Sequence, residues 1–186
     1  MPASSWNTRY RERTAPMEPS AFVRVEVAPL LPPPGRALDL AGGAGRHAIW
    51  LAQRKWETTM VDASDVAIGI AEERAGAANV DISFVHSDLT VDRPPSGPWD
   101  LVLIVHYLQR DLFPTVIEGL GNNGLLAFSV ATRRNLERHE RPGLPYVLDE
   151  GEAPALVEGL DILHYAEGWS IEGRHEARLV ARRRAG

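Results

Sequence analysis

The residues best suited to chemistry gather around one short stretch, Asp39-Leu40-Ala41-Gly42-Gly43-Ala44-Gly45-Arg46-His47. Small residues let a backbone pass close to a ligand, and the N–H groups that open a following helix suit a polar or anionic group. Asp39 stands just before this loop, Asp62 ends the next apolar run, and Asp88 follows the third. His106 and Tyr107 close a fourth run, Asp100–Tyr107. With a reference pKa near 6.5, a histidine there is the natural candidate for a general base, and Tyr107 would wall the pocket. Arg46 and His47 open the helix beside the loop, where they can face a substrate. Trp6 and Tyr10 are four apart, share a helix face, and would form a lid. Arg133 lies in an arginine-rich stretch that can attract an anion, and Tyr146 closes that stretch.

Two nucleotide readings compete for the loop. Gly43-Ala44-Gly45-Arg46-His47-Ala48 fits the dinucleotide pattern G-x-G-x-x-A, and Asp62 lies 17 residues past Gly45 (62 − 45), near the spacing of a ribose-binding acid. That reading makes the chain an NAD-dependent oxidoreductase. Asp39 argues against it, because it sets a carboxylate near where a pyrophosphate would sit. A cationic ligand has a use for that carboxylate. No His-Glu-x-x-His or other ligand spacing implies a metal, and no G-x-x-x-x-G-K-[ST] implies a nucleoside triphosphatase.

The elements that position these residues alternate. A short helix over Ser4–Arg13 and a second from near Pro19 to about Leu30 precede the breaker Pro32-Pro33-Pro34-Gly35. Strands are predicted at Ala37–Leu40, Thr58–Asp62, Ile82–His86, Asp100–Tyr107 and Leu125–Val130. Helices are predicted from about Gly45 to Arg54, from a Ser64 cap to about Ala78, and from Asp111 to about Leu120. Asn122-Asn123-Gly124 reads as a turn, Thr132–Pro145 as a mobile polar loop, and Gly151–Glu158 as a helix. Asp161–Ser170 and His175–Arg183 flank Gly173 as a hairpin. Strand–helix alternation implies an α/β, doubly wound parallel sheet, and ligands of such sheets bind beyond the carboxyl ends of the strands.

Over about Ala37–Arg183 the chain resembles the class I S-adenosylmethionine-dependent methyltransferases. In that family an acid ends the first strand ahead of a Gly-rich loop, as Asp39 to Gly45 do here. A second acid holds the ribose hydroxyls, here Asp62, and a third lies near the adenine amino group, here Asp88. The resemblance implies a mostly parallel seven-stranded sheet with a C-terminal antiparallel hairpin. It implies S-adenosylmethionine as cofactor, held by Asp39, Ala41, Gly42, Gly43, Gly45, Asp62, Ala63, Asp88, Leu89 and Val105. Most members carry Gly where this chain has Ala41; Ala costs little there at negative φ and is strained at positive φ. Trp6–Tyr10, Gly45–Ala52 and Pro145–Glu152 are similar to small bacterial methyltransferases of the tellurite-resistance and thiopurine type. That closer likeness implies a small, soft acceptor such as a thiol or a selenium or tellurium oxyanion. A binding protein that keeps the donor site without turnover is a further reading.

Composition bounds the rest. The 186 residues suit one domain, 1–186, divided into an N-terminal helical cap, 1–34, and a Rossmann-like core, 35–186. Twenty Lys+Arg against 25 Asp+Glu give a net charge of -5, which disfavours a dedicated nucleic-acid binder. There is no Cys, so thiolate nucleophiles and disulfides are excluded. No run reaches the roughly 20 apolar residues of a membrane helix, and Met1–Arg13 does not read as a signal peptide. The expectation is a cytoplasmic monomer or homodimer without membrane or nucleic-acid partners, acting on a small molecule.

Overall fold

A computed structural model describes residues 3–12 and 14–185. Arg13, the expected end of the first helix, and the outermost residues of the expected domain lie outside them. Seven strands form one sheet: β1 (Arg36–Leu40), β2 (Glu57–Asp62), β3 (Ile82–His86), β4 (Trp99–Val105), β5 (Leu120–Ala131), β6 (Asp161–Trp169) and β7 (His175–Arg182). Their order is β3-β2-β1-β4-β5-β7-β6. The first five run parallel, whereas β7 pairs antiparallel with both β5 and β6. The α-helices are α1 (Ala3–Glu12), α2 (Arg46–Ala52), α3 (Asp65–Ala77) and α4 (Leu112–Glu118).

β4 lies near the middle of the sheet and shows why its sequence is apolar almost throughout. Alternate side chains leave opposite faces of a strand. Val102 and Ile104 enter a core with Phe113 and Phe128, whose rings meet edge to face at 5.1 Å. Leu101, Leu103 and Val105 enter the other core, with Phe22, Trp50 and Leu51. Both faces are covered, as parallel strands require. At the head of α3 the Ser64 hydroxyl accepts the Ala67 N–H at 3.0 Å and caps the helix as expected.

Four local expectations change. The 19–30 segment is a wide π-helix over Phe22–Val27 followed by a 3-10 turn over Ala28–Leu30, and it buries Phe22, Val23 and Val27. Asn122-Asn123-Gly124 is a bulge inside β5, because the pairing jumps from Trp99↔Leu120 to Leu101↔Leu125. Asn123 turns through φ 62 there. The 132–145 stretch expected to be mobile forms 3-10 turns at Arg133–Glu137 and Leu144–Tyr146. Buried Asn135 anchors it, accepting the His175 N–H at 3.2 Å and donating to the Arg141 carbonyl at 3.3 Å. Residues 153–157 are also a 3-10 turn, where an α-helix was expected.

Candidate active site

The glycine loop joins β1 to α2 through three left-handed residues: Ala41 (φ 54), Gly43 (φ 59) and Gly45 (φ 79). Ala41 therefore sits on the strained side of the sequence expectation. A Cβ at Gly42 would collide with Met60 and with the Asp39 carboxylate, so the loop lies directly on Asp39. Asp39 is 1% exposed, and neither carboxylate oxygen has a hydrogen-bond partner. Burial pushes its pKa up to about 7, although the Ala48 backbone N–H in α2 and then the Arg46 charge pull the other way, the former from outside good hydrogen-bond geometry. A buried carboxylate without donors is costly unless something cationic meets it.

Asp62, 9% exposed, staples the loop to the end of β2. Its Oδ2 accepts the Gly43 N–H and its Oδ1 the Ser64 N–H, both at 2.8 Å. Burial still raises its pKa, and these N–H groups oppose the rise. Each oxygen keeps a second lone pair for a ligand. Ala63 lies between these two contacts at the same strand end. Asp88 is half-buried at the end of β3, and its Oδ1 accepts both the Thr90 N–H (3.0 Å) and hydroxyl (2.7 Å). Those bonds hold its pKa below the ordinary value. Leu89 and Val105, expected beside the cofactor, direct their side chains into the two cores.

α1 covers this half. The Tyr10 hydroxyl lies against Gly43, where any Cβ would collide with it. Burial, reinforced by Asp62, pushes Tyr10 up to about 12. Trp6 lies near Tyr10 with ring centres 6.5 Å apart and planes tilted by 35°. Asn7, which the sequence reading missed, accepts the Ser64 hydroxyl at 2.6 Å and ties α1 to the head of α3. Nothing in the local sequence marks Asn7, because its partner is 57 residues away.

The other half opens at the end of β4. His106 and Tyr107 go different ways. The Tyr107 hydroxyl donates to Gln109 Oε1 at 2.6 Å, and burial beside Asp88 pushes it up to about 12. His106 instead lies with Nε2 3.3 Å from Glu176 Oε2 on β7, at ion-pair distance but without hydrogen-bond alignment. Glu176 was also missed, yet it left a signal: an acid in a strand-like run whose neighbours Ala177, Leu179, Val180 and Ala181 are apolar, and which is buried from His175 to Ala181 apart from half-buried Arg178. Arg46 is half-buried, its pKa lowered by burial and by Arg174 while Glu172 and Asp39 oppose.

Three expected substrate residues sit elsewhere. His47 is 4% exposed and its Nε2 takes the Ser20 N–H at 3.2 Å, so it packs α2 against the preceding turn. Burial next to Arg46 drives its pKa well below 6.5. Arg133 is exposed and pairs with Asp149 at 2.7 Å, a solvated contact. Tyr146 is exposed, though near Tyr107. Among the described residues no cluster of His, Asp or Glu could hold a metal, and no helix is long and apolar enough to cross a membrane.

A family described as a methyltransferase domain matches residues 37–122. YqeM of Bacillus subtilis (strain 168), whose name assigns it to the methyltransferases, is 31% identical over 109 residues. That match takes in 54% of this chain, which spans less than half of the relative's length, 44%. TehB from Haemophilus influenzae has the same fold at a TM-score of 0.77 and 17% identity, over 96% of this chain and 67% of its own. A TehB-like S-adenosylmethionine-dependent methyltransferase from Corynebacterium glutamicum superposes at 0.69 with 16% identity, over 98% of each chain.

Proposed function

We propose that the chain is a class I methyltransferase, as the methyltransferase-domain match over residues 37–122 supports, and that it transfers a methyl group from S-adenosylmethionine to a small-molecule acceptor. One observation supports this reading above the others: the buried carboxylate of Asp39 beneath a glycine loop, with no well-formed hydrogen bond to either oxygen. A dinucleotide's pyrophosphate would set anion against anion there. The ammonium of an amino-acid tail supplies the missing donors. The antiparallel β7, inserted between β5 and β6, also departs from a dinucleotide sheet.

S-adenosylmethionine supplies a methyl group already activated on a sulfonium sulfur. The chain's own residues bind, orient and exclude water, and orientation alone is worth roughly 7–11 kcal/mol in such reactions. Asp39 holds the cationic tail, Asp62 accepts the ribose hydroxyls on its spare lone pairs, and Asp88 accepts the adenine amino group. Tyr10 and Trp6, on the 1–34 cap, close over the loop. His106 faces the acceptor. The acceptor is small, and the soft class of thiols and selenium or tellurium oxyanions is our first choice.

Thermal shift with S-adenosylmethionine, S-adenosylhomocysteine and NAD in parallel tests the proposal. At about 100 times its dissociation constant a ligand adds roughly 2.7 kcal/mol, several degrees for a chain of this size. The sulfur ligands should shift the melting temperature and NAD should not. A shift with NAD alone would overturn the reading.

A further inference from the structure

Glu176 is 2% exposed, inside the sheet, where a carboxylate needs partners. The Ser129 hydroxyl on β5 donates to its Oε2 at 2.9 Å, and His106 Nε2 lies 3.3 Å from the same oxygen. Burial pushes Glu176 up, but His106, Ser129 and Arg178 together hold it below the ordinary glutamate range. His106 reaches it from a backbone at φ 61, a left-handed region that a side-chain-bearing residue seldom adopts. The His106 N–H donates to the Ser129 carbonyl at 2.7 Å, which fixes that strained turn. Strand end, strained backbone and buried acid thus converge on one imidazole, 21% exposed, at the mouth of the site.

We propose that Glu176 is a positioning residue that accepts the Nε2–H of His106 and so sets His106 as general base toward a protic acceptor, an O–H or S–H group. The inference rests on the methyltransferase reading and redraws its acceptor class, keeping the thiols, setting aside the oxyanions and adding hydroxyl groups. In the step, an acceptor lone pair forms the new bond to the methyl carbon. The carbon–sulfur bond breaks and leaves its electron pair on sulfur. The acceptor proton passes to Nδ1, the ring nitrogen that Glu176 leaves basic, and the imidazolium pairs with the Glu176 carboxylate. A selenium or tellurium oxyanion attacks through the lone pair on the chalcogen, breaks no bond to hydrogen in doing so, and would not need this pair. Catalytic hydrogen bonds of ligand-free enzymes are often misaligned and tighten in the complex, as the 3.3 Å contact requires.

The charged surroundings of His106 are few. Glu176 faces it from β7, with Arg178 behind on the same strand. His47 faces it from α2, kept neutral by burial, with Arg46 beside it. Ser129 of β5 offers only a hydroxyl.

Histidine titration by NMR on the full chain without ligand tests the pair, with the His106 signal assigned by its loss in H106Q. In E176Q the His106 midpoint should fall by about one pH unit, a tenfold loss of proton affinity. An unmoved midpoint overturns the proposal. If E176Q does not fold, nitrogen shifts of the wild-type ring decide: neutral His106 should carry its proton on Nε2, and a proton on Nδ1 overturns it. Thiophenol, phenol and selenite then test the acceptor class with donor bound. Turnover of either protic probe, with an acid limb that moves down in E176Q, is expected. Turnover of selenite alone, or of none of the three, overturns the protic class. Failure of the thermal shift would strike the methyltransferase reading and leave the His106 titration standing.

Discussion

The donor half and the acceptor half of the site are built on opposite plans. In the donor half the central charge is unmet: Asp39 is buried under the glycine loop with no hydrogen bond to either oxygen. In the acceptor half the central charge is met within the protein, by Ser129 and by the neighbouring His106 and Arg178. An unmet charge stores a cost that a ligand can relieve. A met charge fixes geometry whether or not a ligand is present. On the proposed function, the difference assigns binding to the first half and orientation to the second, and substitutions can separate the two.

The largest effect is expected at Asp62, where binding and scaffold overlap. Asp62→Ala leaves the Gly43 and Ser64 N–H groups without their acceptors. Each buried unsatisfied group costs about 1–3 kcal/mol, so urea denaturation should show a loss of about 2–6 kcal/mol. Donor affinity by calorimetry should fall more than tenfold, about 1.4 kcal/mol. Lost stability with unchanged affinity would make Asp62 only a staple of the loop and would break the assignment of the donor half.

Asp39→Asn sharpens the comparison through pH. The folded carboxyl is pushed up to about 7 by burial, while the unfolded one stays near 3.8. Between those values the folded chain holds a proton that the unfolded chain has released, so stability falls as pH rises from about 4 to 7. The whole drop is at most about 4 kcal/mol at 1.36 kcal/mol per pH unit. Asp39→Asn should remove that part of the slope, be more stable than wild type at pH 8, and bind the donor at least tenfold more weakly. Wild-type donor affinity should itself rise from pH 6 to 8 as the carboxyl ionises. Equal stability slopes in the two proteins would show that Asp39 is not the unmet charge.

The same contrast explains what the sequence made legible. The glycine loop lies in one strand–loop–helix run, Asp39–His47, with acids at two further strand ends, so the sequence displays these residues together, and the family resemblance supplies their expected roles. The parallel strands and the terminal hairpin could be expected because strand–helix alternation and a glycine turn between two strand-like runs are local signals, whereas the seven-strand count came from the resemblance. The acceptor half depends on β4, β5 and β7 lying side by side, which sets His106 against a residue 70 positions later (176 − 106). Only the buried charge in β7 hinted at it. His47 misled because its position at the helix start looks open, whereas Ser20 from the preceding segment closes over it. The arginine-rich stretch looked mobile because its charges dominate, whereas the buried side chain of Asn135 sets its course.

The smallest effect tests where strain matters. Ala41 (φ 54) and His106 (φ 61) both hold left-handed backbone that favours glycine. A Cβ in that region costs about 1–2 kcal/mol, and glycine gives back about 0.4–1 kcal/mol through a freer unfolded chain. Ala41→Gly should therefore stabilise the protein by up to about 1 kcal/mol, seen as a rise of a few degrees in Tm, with donor affinity unchanged by calorimetry. Strain at Ala41 would then be incidental, a residue standing where the turn prefers none. At His106 the same backbone carries a ring 3.3 Å from Glu176, so glycine would relieve the strain and discard what the strain holds in place. If Ala41→Gly instead weakened donor binding, the strained alanine would be shaping the loop, and the donor half too would owe its geometry to the protein alone.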